Sequence, residues 1–308
     1  MSAKNPFDAS APCALPIFYR TYSRLTEQGR ENYQQVTDRT VKAIAELGHF
    51  TEEETALVRE MQENRQVLPS GRWLWTGGTE WLQKQKNFSG AYNCTSTRVT
   101  DWQSLALMMD LAMMGSGTGA VIEERHIENL PAIRNRIKLK DVGDVGGSAP
   151  ADRREHTYVE VRGNTVTIDC GDSRTGWVEA YEAFLDLSTD NYFDHTRPVC
   201  VYVDLHRVRA AGQKLKGFGG TSNPVKLPGI FPKMAEILNN AHGRKLTSTE
   251  ICLLIDEAAA VVVAGNIRRS AGMRQFASND HEAARAKDNL WQQGEDGSWR
   301  IDPKRDAL

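Results

Sequence analysis

A thiol, several hydroxyls and amides, and a run of glycines stand close together between residues 69 and 125. Cys94 sits in YNCTSTRV, between Asn93 and a Thr/Ser run; Ser70 belongs to a Pro-Ser-Gly turn at 69–71; Gly115, Gly117 and Gly119 punctuate MMGSGTGAVIEE. The thiol of Cys94 joins the hydroxyl and amide groups around it as a possible contact to a small polar ligand. Hydroxyl and amide groups are the donors and acceptors that hold a ribose or a diphosphate. Glycines let main-chain N–H groups approach a phosphate unobstructed. Each feature also has a plainer reading, because turns are built from Pro, Ser, Asn and Gly and glycines allow tight packing of strand on helix. The GSGTG run is neither a Walker loop nor a dinucleotide fingerprint: no Gly-Lys-Ser/Thr follows it, and it opens no helix. Further along, Arg268 and Arg269 in AGNIRRSAGM offer guanidinium forks for a phosphate or a base edge, or cations at a helix end.

The bulk numbers limit the partners. A formal charge of −2 over 308 residues gives no electrostatic support for a nucleic acid or a membrane surface, while a small phosphate needs only local donors. The N-terminal MSAKNPFDASAPCALP has no apolar h-region, and no stretch approaches the roughly 18 to 20 apolar residues of a membrane span, so a cytoplasmic protein is expected. The five cysteines (Cys13, Cys94, Cys170, Cys200 and Cys252) are odd in number and never paired as Cys-x-x-Cys. That argues against a disulfide framework and against a zinc site, and leaves the four other than Cys94 as small buried hydrophobes. The seven histidines show no His-x-x-x-His spacing and no triad order, so no metal site is expected.

The elements that must position these groups are read from periodicity. Helical spacing covers 22–48 and 51–66, the second opened by a capping box at Thr51 and Glu54. WQSLALMMDLAMM predicts a buried helix running into the glycines. KLKDVGDVGGSAPADRREH reads as a flexible loop, TYVEVRGNTVTID as a hairpin about a Gly-Asn turn, SRTGWVEAYEAFLDL as an amphipathic helix and PVCVYVDL as an apolar strand. A second capping box, Thr247 with Glu250, opens a helix that Gly265 would close, and NLWQQGEDGSWRID reads as a tryptophan hairpin. The alternation of helix and strand favours an α/β core.

Taken in order, LPSGRWLWTGGTE, YNCTSTRV, MMGSGTGAVIEE, DSRTGWVEA, KGFGGTSNP and VVAGNIRRSAGM with SND resemble the N-terminal half of adenosylcobalamin-dependent, class II ribonucleotide reductases of the monomeric, triphosphate-reducing type. The resemblance implies an N-terminal helical region at 1–66 and, over 67–308, the first half of a ten-stranded α/β barrel. An insertion at about 130–216 would imitate a dimer partner's helices. It implies conversion of ribonucleoside triphosphates to 2′-deoxyribonucleotides through a cysteine thiyl radical generated by adenosylcobalamin, with thioredoxin or another dithiol as reductant. Cys94 falls on the N-terminal member of the redox pair. Ser70, Asn93, Ser116 and Gly117 fall on substrate-contacting positions. Asp101 and Arg125 fall on the site of a deoxynucleoside triphosphate effector, and Asn266, Arg268 and Arg269 on the segment 265–273 that passes effector identity to the substrate base.

The departures from the family pattern are equally definite. Ser222-Asn223-Pro224 replaces Ser-Gly-Pro, SGTGAV replaces a longer glycine run, and no Asn-Pro-Cys and no cysteine follows Cys252. The resemblance therefore implies a separate C-terminal chain carrying an Asn-Pro-Cys-Gly-Glu loop and most of the cobalamin surface. Two competing readings are a non-catalytic deoxynucleotide-binding regulator of the same descent, and an unrelated α/β enzyme whose glycines are structural.

Overall fold

The computed structural model describes residues 11–213, 222–262 and 271–308. Residues 11–93 make one compact unit and the remaining described residues another. In the first unit, α1 (Ala14–Thr21) is followed by a two-stranded hairpin, β1 (Leu25–Thr26) and β2 (Gly29–Arg30), and by α2 (Tyr33–Gly48), α3 (Glu52–Glu63), α4 (Gly71–Thr76) and α5 (Glu80–Gln83). The helix expected from residue 22 thus begins only at Tyr33. Gly29 takes a φ of 108°, a left-handed turn conformation that breaks the helix and folds the hairpin. Asn32 and Gln35 then form a capping box, as do Thr51 and Glu54 on α3. Phe18, Tyr33, Val36 and Leu74 form this unit's apolar cluster. The compact unit continues past residue 66 because α4 packs on α2.

The second unit carries two sheets. β3 (Cys94–Arg98), β4 (Gly117–Val121) and β9 (Gly272–Gln275) form a wholly parallel sheet in the order β3-β4-β9. The crossover from β3 to β4 is α6 (Trp102–Met113), and the short α7 (Glu124–Ile127) follows β4. β5 (Ile137–Val142), β6 (Tyr158–Arg162), β7 (Thr165–Asp169) and β8 (Val199–Asp204) pair in the order β5-β8-β7-β6, with β6 antiparallel at one edge. The later α-helices among the described residues of this unit are α8 (Arg174–Leu187), α9 (Leu227–Asn240), α10 (Ser248–Val261) and α11 (His281–Ala284); the hairpin β10 (Trp291–Gln293) with β11 (Trp299–Ile301) follows.

One contiguous core joins α6, α8, α9, α10 and both sheets. Phe184 of α8 meets Phe231 of α9 at 5.5 Å between ring centroids, and burying each ring stabilises by about 1.5 to 3 kcal/mol. Tyr181 is fully buried and donates to the Leu254 carbonyl of α10 at 3.1 Å, so its hydroxyl is not left unpaired in the core. Arg174 pairs with Asp110, tying α8 to α6.

Three readings of the sequence need correction. KLKDV is not loop but the body of β5, whose pairing with β8 shifts register between Leu139 and Asp141 and so hides the two-residue alternation. GSGTG does not stay a loop beyond Ser116, since Gly117 opens the central strand β4. Of the four cysteines read as buried, Cys170 and Cys252 are, whereas Cys200 is half-buried and Cys13 exposed. Among the described residues no helix is long and apolar enough to cross a membrane.

Candidate functional site

The start of α4 holds the first two expected residues. Ser70 starts that helix, its hydroxyl accepting the Trp73 N–H at 3.2 Å, so the Pro-Ser-Gly turn is a helix cap. Arg72, in the first turn of α4, is buried and donates to the Asn93 side-chain oxygen at 3.2 Å and to the Gly90 carbonyl at 3.1 Å. Ser70 and Asn93 are therefore held by one short helix, through an arginine that the sequence did not single out. Both keep exposed side chains.

In the second unit Cys94 and Gly117 are direct partners at the amino ends of β3 and β4, and the Thr95 hydroxyl donates to the Gly117 carbonyl at 3.2 Å. Ahead of them α6 ends at Met113, Gly115 follows with a φ of 71°, in the left-handed region that favours glycine, and the fully buried Ser116 turns the chain into β4. Because successive side chains alternate across a strand, register puts Cys94, Ser96 and Arg98 on one face with Gly117, Gly119 and Val121, and with Met273 and Gln275 of β9. Cys94, Ser96 and Arg98 are exposed, as is Met273. Gly117 and Gly119 thus leave a strip without side chains between the thiol and Met273. A Cβ at Gly119 would stand 3.0 Å from the Thr95 carbonyl.

Asp101 and Arg125 lie at the other end of the same sheet, just past the carboxyl ends of β3 and β4, about 13 Å along the strands from Cys94 at 3.3 Å per residue. Asp101 caps α6: its Oδ1 accepts the Ser104 N–H at 2.7 Å and the Ser104 hydroxyl at 2.6 Å, while Oδ2 accepts from the Thr100 hydroxyl at 3.2 Å. The Ser104 hydroxyl foremost holds this carboxyl below its usual range, so it is ionised at neutral pH. Arg125 pairs with Glu123 at 2.7 Å, and Glu123 also accepts from Gln275 of β9 at 3.0 Å. Expected as one effector pair, Asp101 and Arg125 share a sheet end, with Asp101 bonded to Ser104 and Thr100 and Arg125 to Glu123. Asn266, Arg268 and Arg269 lie outside the described residues.

Hollows of about 480 and 410 Å³ lie against α2 and α3, and one of about 340 Å³ lies between α9, α10 and the tail. None is lined by the Cys94 end of the sheet, and they fall within the range of drug-sized ligands, which a corrinoid exceeds. No three of His, Cys, Asp and Glu converge as a metal site among the described residues.

Residues 140–238 match the insertion domain of B12-dependent ribonucleotide reductases. The chain is similar in sequence to the class II, adenosylcobalamin-dependent ribonucleotide reductases. More particularly, it is 31% identical over 85% of its length to a Mycobacterium phage D29 protein provisionally named adenosylcobalamin-dependent ribonucleoside-triphosphate reductase, covering 39% of that protein. It is 27% identical over 86% of its length to the adenosylcobalamin-dependent ribonucleoside-triphosphate reductase of Lactobacillus gasseri, covering 41% of it. A crystal structure of a B12-dependent, class II ribonucleotide reductase superimposes on 90% of this chain and 43% of that one, with a TM-score of 0.70 and 21% identity, which establishes the likeness of fold. The chain thus spans about two fifths of the length of the curated relatives it matches.

Proposed function

We propose that these residues form the N-terminal part of a class II ribonucleotide reductase that converts ribonucleoside triphosphates to 2′-deoxyribonucleotides. The observation that carries the reading is the in-register pairing of Cys94 with Gly117, which sets a thiol beside a strip of sheet bare of side chains. A ribose laid on Gly117 and Gly119 would have the Cys94 sulfur at its edge, with Ser116 and Gly117 meeting it from the backbone. Ser70 and Asn93 would hold its hydroxyls and phosphates. In this reading β3, β4 and β9 belong to the first half of the ten-stranded barrel. The insertion at about 130–216 imitates a partner's helices at the effector site, where the ionised Asp101 accepts from the effector ribose and Arg125 meets its phosphates. The segment 265–273, with Asn266, Arg268 and Arg269, reads the base.

Cys94 supplies one of the two thiols whose oxidation to a disulfide provides two electrons; the substrate's 2′-hydroxyl leaves as water and hydrogen takes its place. An external dithiol such as thioredoxin restores the pair. In this reading a C-terminal chain bearing an Asn-Pro-Cys-Gly-Glu loop would supply the radical cysteine, the second thiol and most of the corrinoid surface.

The test combines this chain with a polypeptide bearing an Asn-Pro-Cys-Gly-Glu loop from a relative, adenosylcobalamin, a dithiol and a ribonucleoside triphosphate. Deoxynucleotide should form with the wild type and not with Cys94→Ser; equal product from both would remove Cys94 from the reaction. Asp101 and Arg125 share one sheet end without any contribution from outside the chain, which favours a second reading, a deoxynucleotide-binding regulator. Deoxynucleotide binding by the chain alone, with no product in the completed mixture, would select it.

A further inference from the structure

We propose that the edge strand β6 is a self-recognition surface, on which a second copy of this chain adds its own β6 antiparallel about a two-fold axis at Val161, so that each Glu160 faces the other copy's Arg162.

β6 closes one edge of the four-stranded sheet and is bonded to β7 on one side only. Which of its backbone groups turn outward follows from β7. At the two ends of β7 the Cys200 N–H donates to the Asn164 carbonyl at 2.7 Å and the Cys170 N–H to the Asp204 carbonyl at 2.9 Å. Even-numbered residues there thus turn their N–H and C=O towards β8, and the odd-numbered Thr165, Thr167 and Asp169 turn theirs towards Arg162, Glu160 and Tyr158. Val159 and Val161 are left pointing away from the sheet, and their outward groups receive no hydrogen bond among the described residues. At Thr157, the next outward position, the edge is shut, because its N–H is donated to the Glu179 carboxylate at 2.8 Å. Val161 and Val159 are 41% and 36% exposed, although they share a face with Val166 and Ile168, which are fully buried. A continuing sheet would cover them.

So short an open edge permits few two-fold pairings, since outward groups must meet outward groups. An axis at Val159 would need the Thr157 N–H, which Glu179 already holds. An axis at Glu160 or at Arg162 sets that residue against itself, and like charges directly opposite destabilise. An axis at Val161 bonds Val161 to its own copy, places Val159 against Gly163, and sets Glu160 against Arg162 twice, in the pairs where side chains of facing strands come closest. Within one copy Arg162 already donates to Glu160 from Nε at 2.9 Å and from Nη2 at 2.6 Å, so two copies would close a ring of four alternating charges. Gly163 has open space where a Cβ would stand, which leaves room for the facing valine, and the two-residue turn at 163–164 adds no loop to obstruct it. The contact is isologous and small, so the dimer is weak and depends on concentration.

Sedimentation equilibrium over a concentration series tests this on the full 308-residue chain. The wild type should show a monomer–dimer equilibrium. Glu160→Arg and Arg162→Glu, which oppose like charges, should each weaken it about tenfold, and an equimolar mixture of the two variants should dimerise again because every charge then faces its opposite. Val161→Pro removes one outward N–H, leaves the ladder to β7 intact and should abolish the dimer. Amide exchange at 159 and 161 in the wild type should slow as concentration rises. A wild type of single-chain mass throughout overturns the proposal. A dimer that survives both charge reversals, or a mixture no tighter than either variant alone, overturns the pairing at β6. Protection of 159 and 161 that appears only on adding a relative's C-terminal reductase chain assigns the edge to that chain and overturns self-recognition.

Discussion

The residue types of the candidate site were readable in the sequence, but their surroundings were not. Cys94 among hydroxyls is visible in YNCTSTRV, whereas its pairing with Gly117, twenty-three positions along the chain, exists only once β3 and β4 lie side by side. Arg72 on Asn93 and Arg274 on Asp256 went unnoticed for the same reason: a lone arginine carries no sign of which distant partner it will meet. The thiols differ sharply in environment, and that can be measured. Burial pushes Cys170 and Cys252 up to about 12, so at pH 8 only about one in ten thousand of either is thiolate. Brief treatment of the folded chain with a maleimide, mapped by mass spectrometry, should label Cys13 and Cys94, which are exposed, and leave Cys170 and Cys252 unmodified until denaturant is added. Labelling of Cys170 as fast as Cys94 would contradict the core described for β7 and β8.

Elements whose signals are local came out as read. The capping boxes at Thr51 and Thr247, the hairpin turning at Gly163 and the tryptophan hairpin each depend on contacts a few residues apart. β5 and β4 did not, because a bulge disrupts the alternation of one and glycines empty the other; their strand character comes from pairing with β8 and with β3 and β9. Asp101 shows how an element's demand can hide inside a candidate ligand, since the same carboxylate that could meet a ribose caps α6. Two substitutions separate the roles. Asp101→Ala should destabilise the second unit by about 1 kcal/mol through loss of the cap, whereas Asp101→Asn keeps an acceptor and most of the stability. If the carboxylate holds the effector ribose, Asp101→Asn should nonetheless lose deoxynucleotide affinity, measured by calorimetry. Equal affinity in Asp101→Asn and wild type would leave Asp101 a cap alone. Tyr181→Phe offers a control remote from Cys94 and Asp101: it removes the hydroxyl that donates to the Leu254 carbonyl in addition to that carbonyl's helical N–H, and should cost about 1 kcal/mol in a urea titration, with ligand affinity unchanged.

At the scale of the whole molecule, the carboxylates divide into two populations whose pH windows do not overlap. Asp110, Asp186, Asp256, Glu182 and Glu257 are raised, in each case chiefly by burial. A raised carboxyl binds its proton more tightly in the folded state, so its contribution is fully present below the ordinary carboxylate range and is lost as pH climbs through the folded value. Asp101, Asp194, Asp296 and Asp302 are lowered, Asp194 to about 2, by hydrogen bonds to the ionised form. Their contribution is present above the ordinary range and lost as pH falls through the depressed values. One set thus weakens the fold above an ordinary carboxylate pKa of about 4 and the other below it, so stability should peak at about pH 4 to 5. A second decline should set in above about pH 8.5, where Cys170 and Cys252 gain a reason to unfold: they ionise readily only when released from burial that holds them at about 12. Thermal unfolding in a pH series at constant ionic strength reads both limbs. Asp256→Asn combined with Glu257→Gln should flatten the fall above the ordinary carboxylate range, because it removes two of the five raised groups. A melting temperature that instead climbs steadily as pH rises above that range towards neutrality would mean that these carboxylates are not desolvated as the packing of α6, α8 and α10 requires.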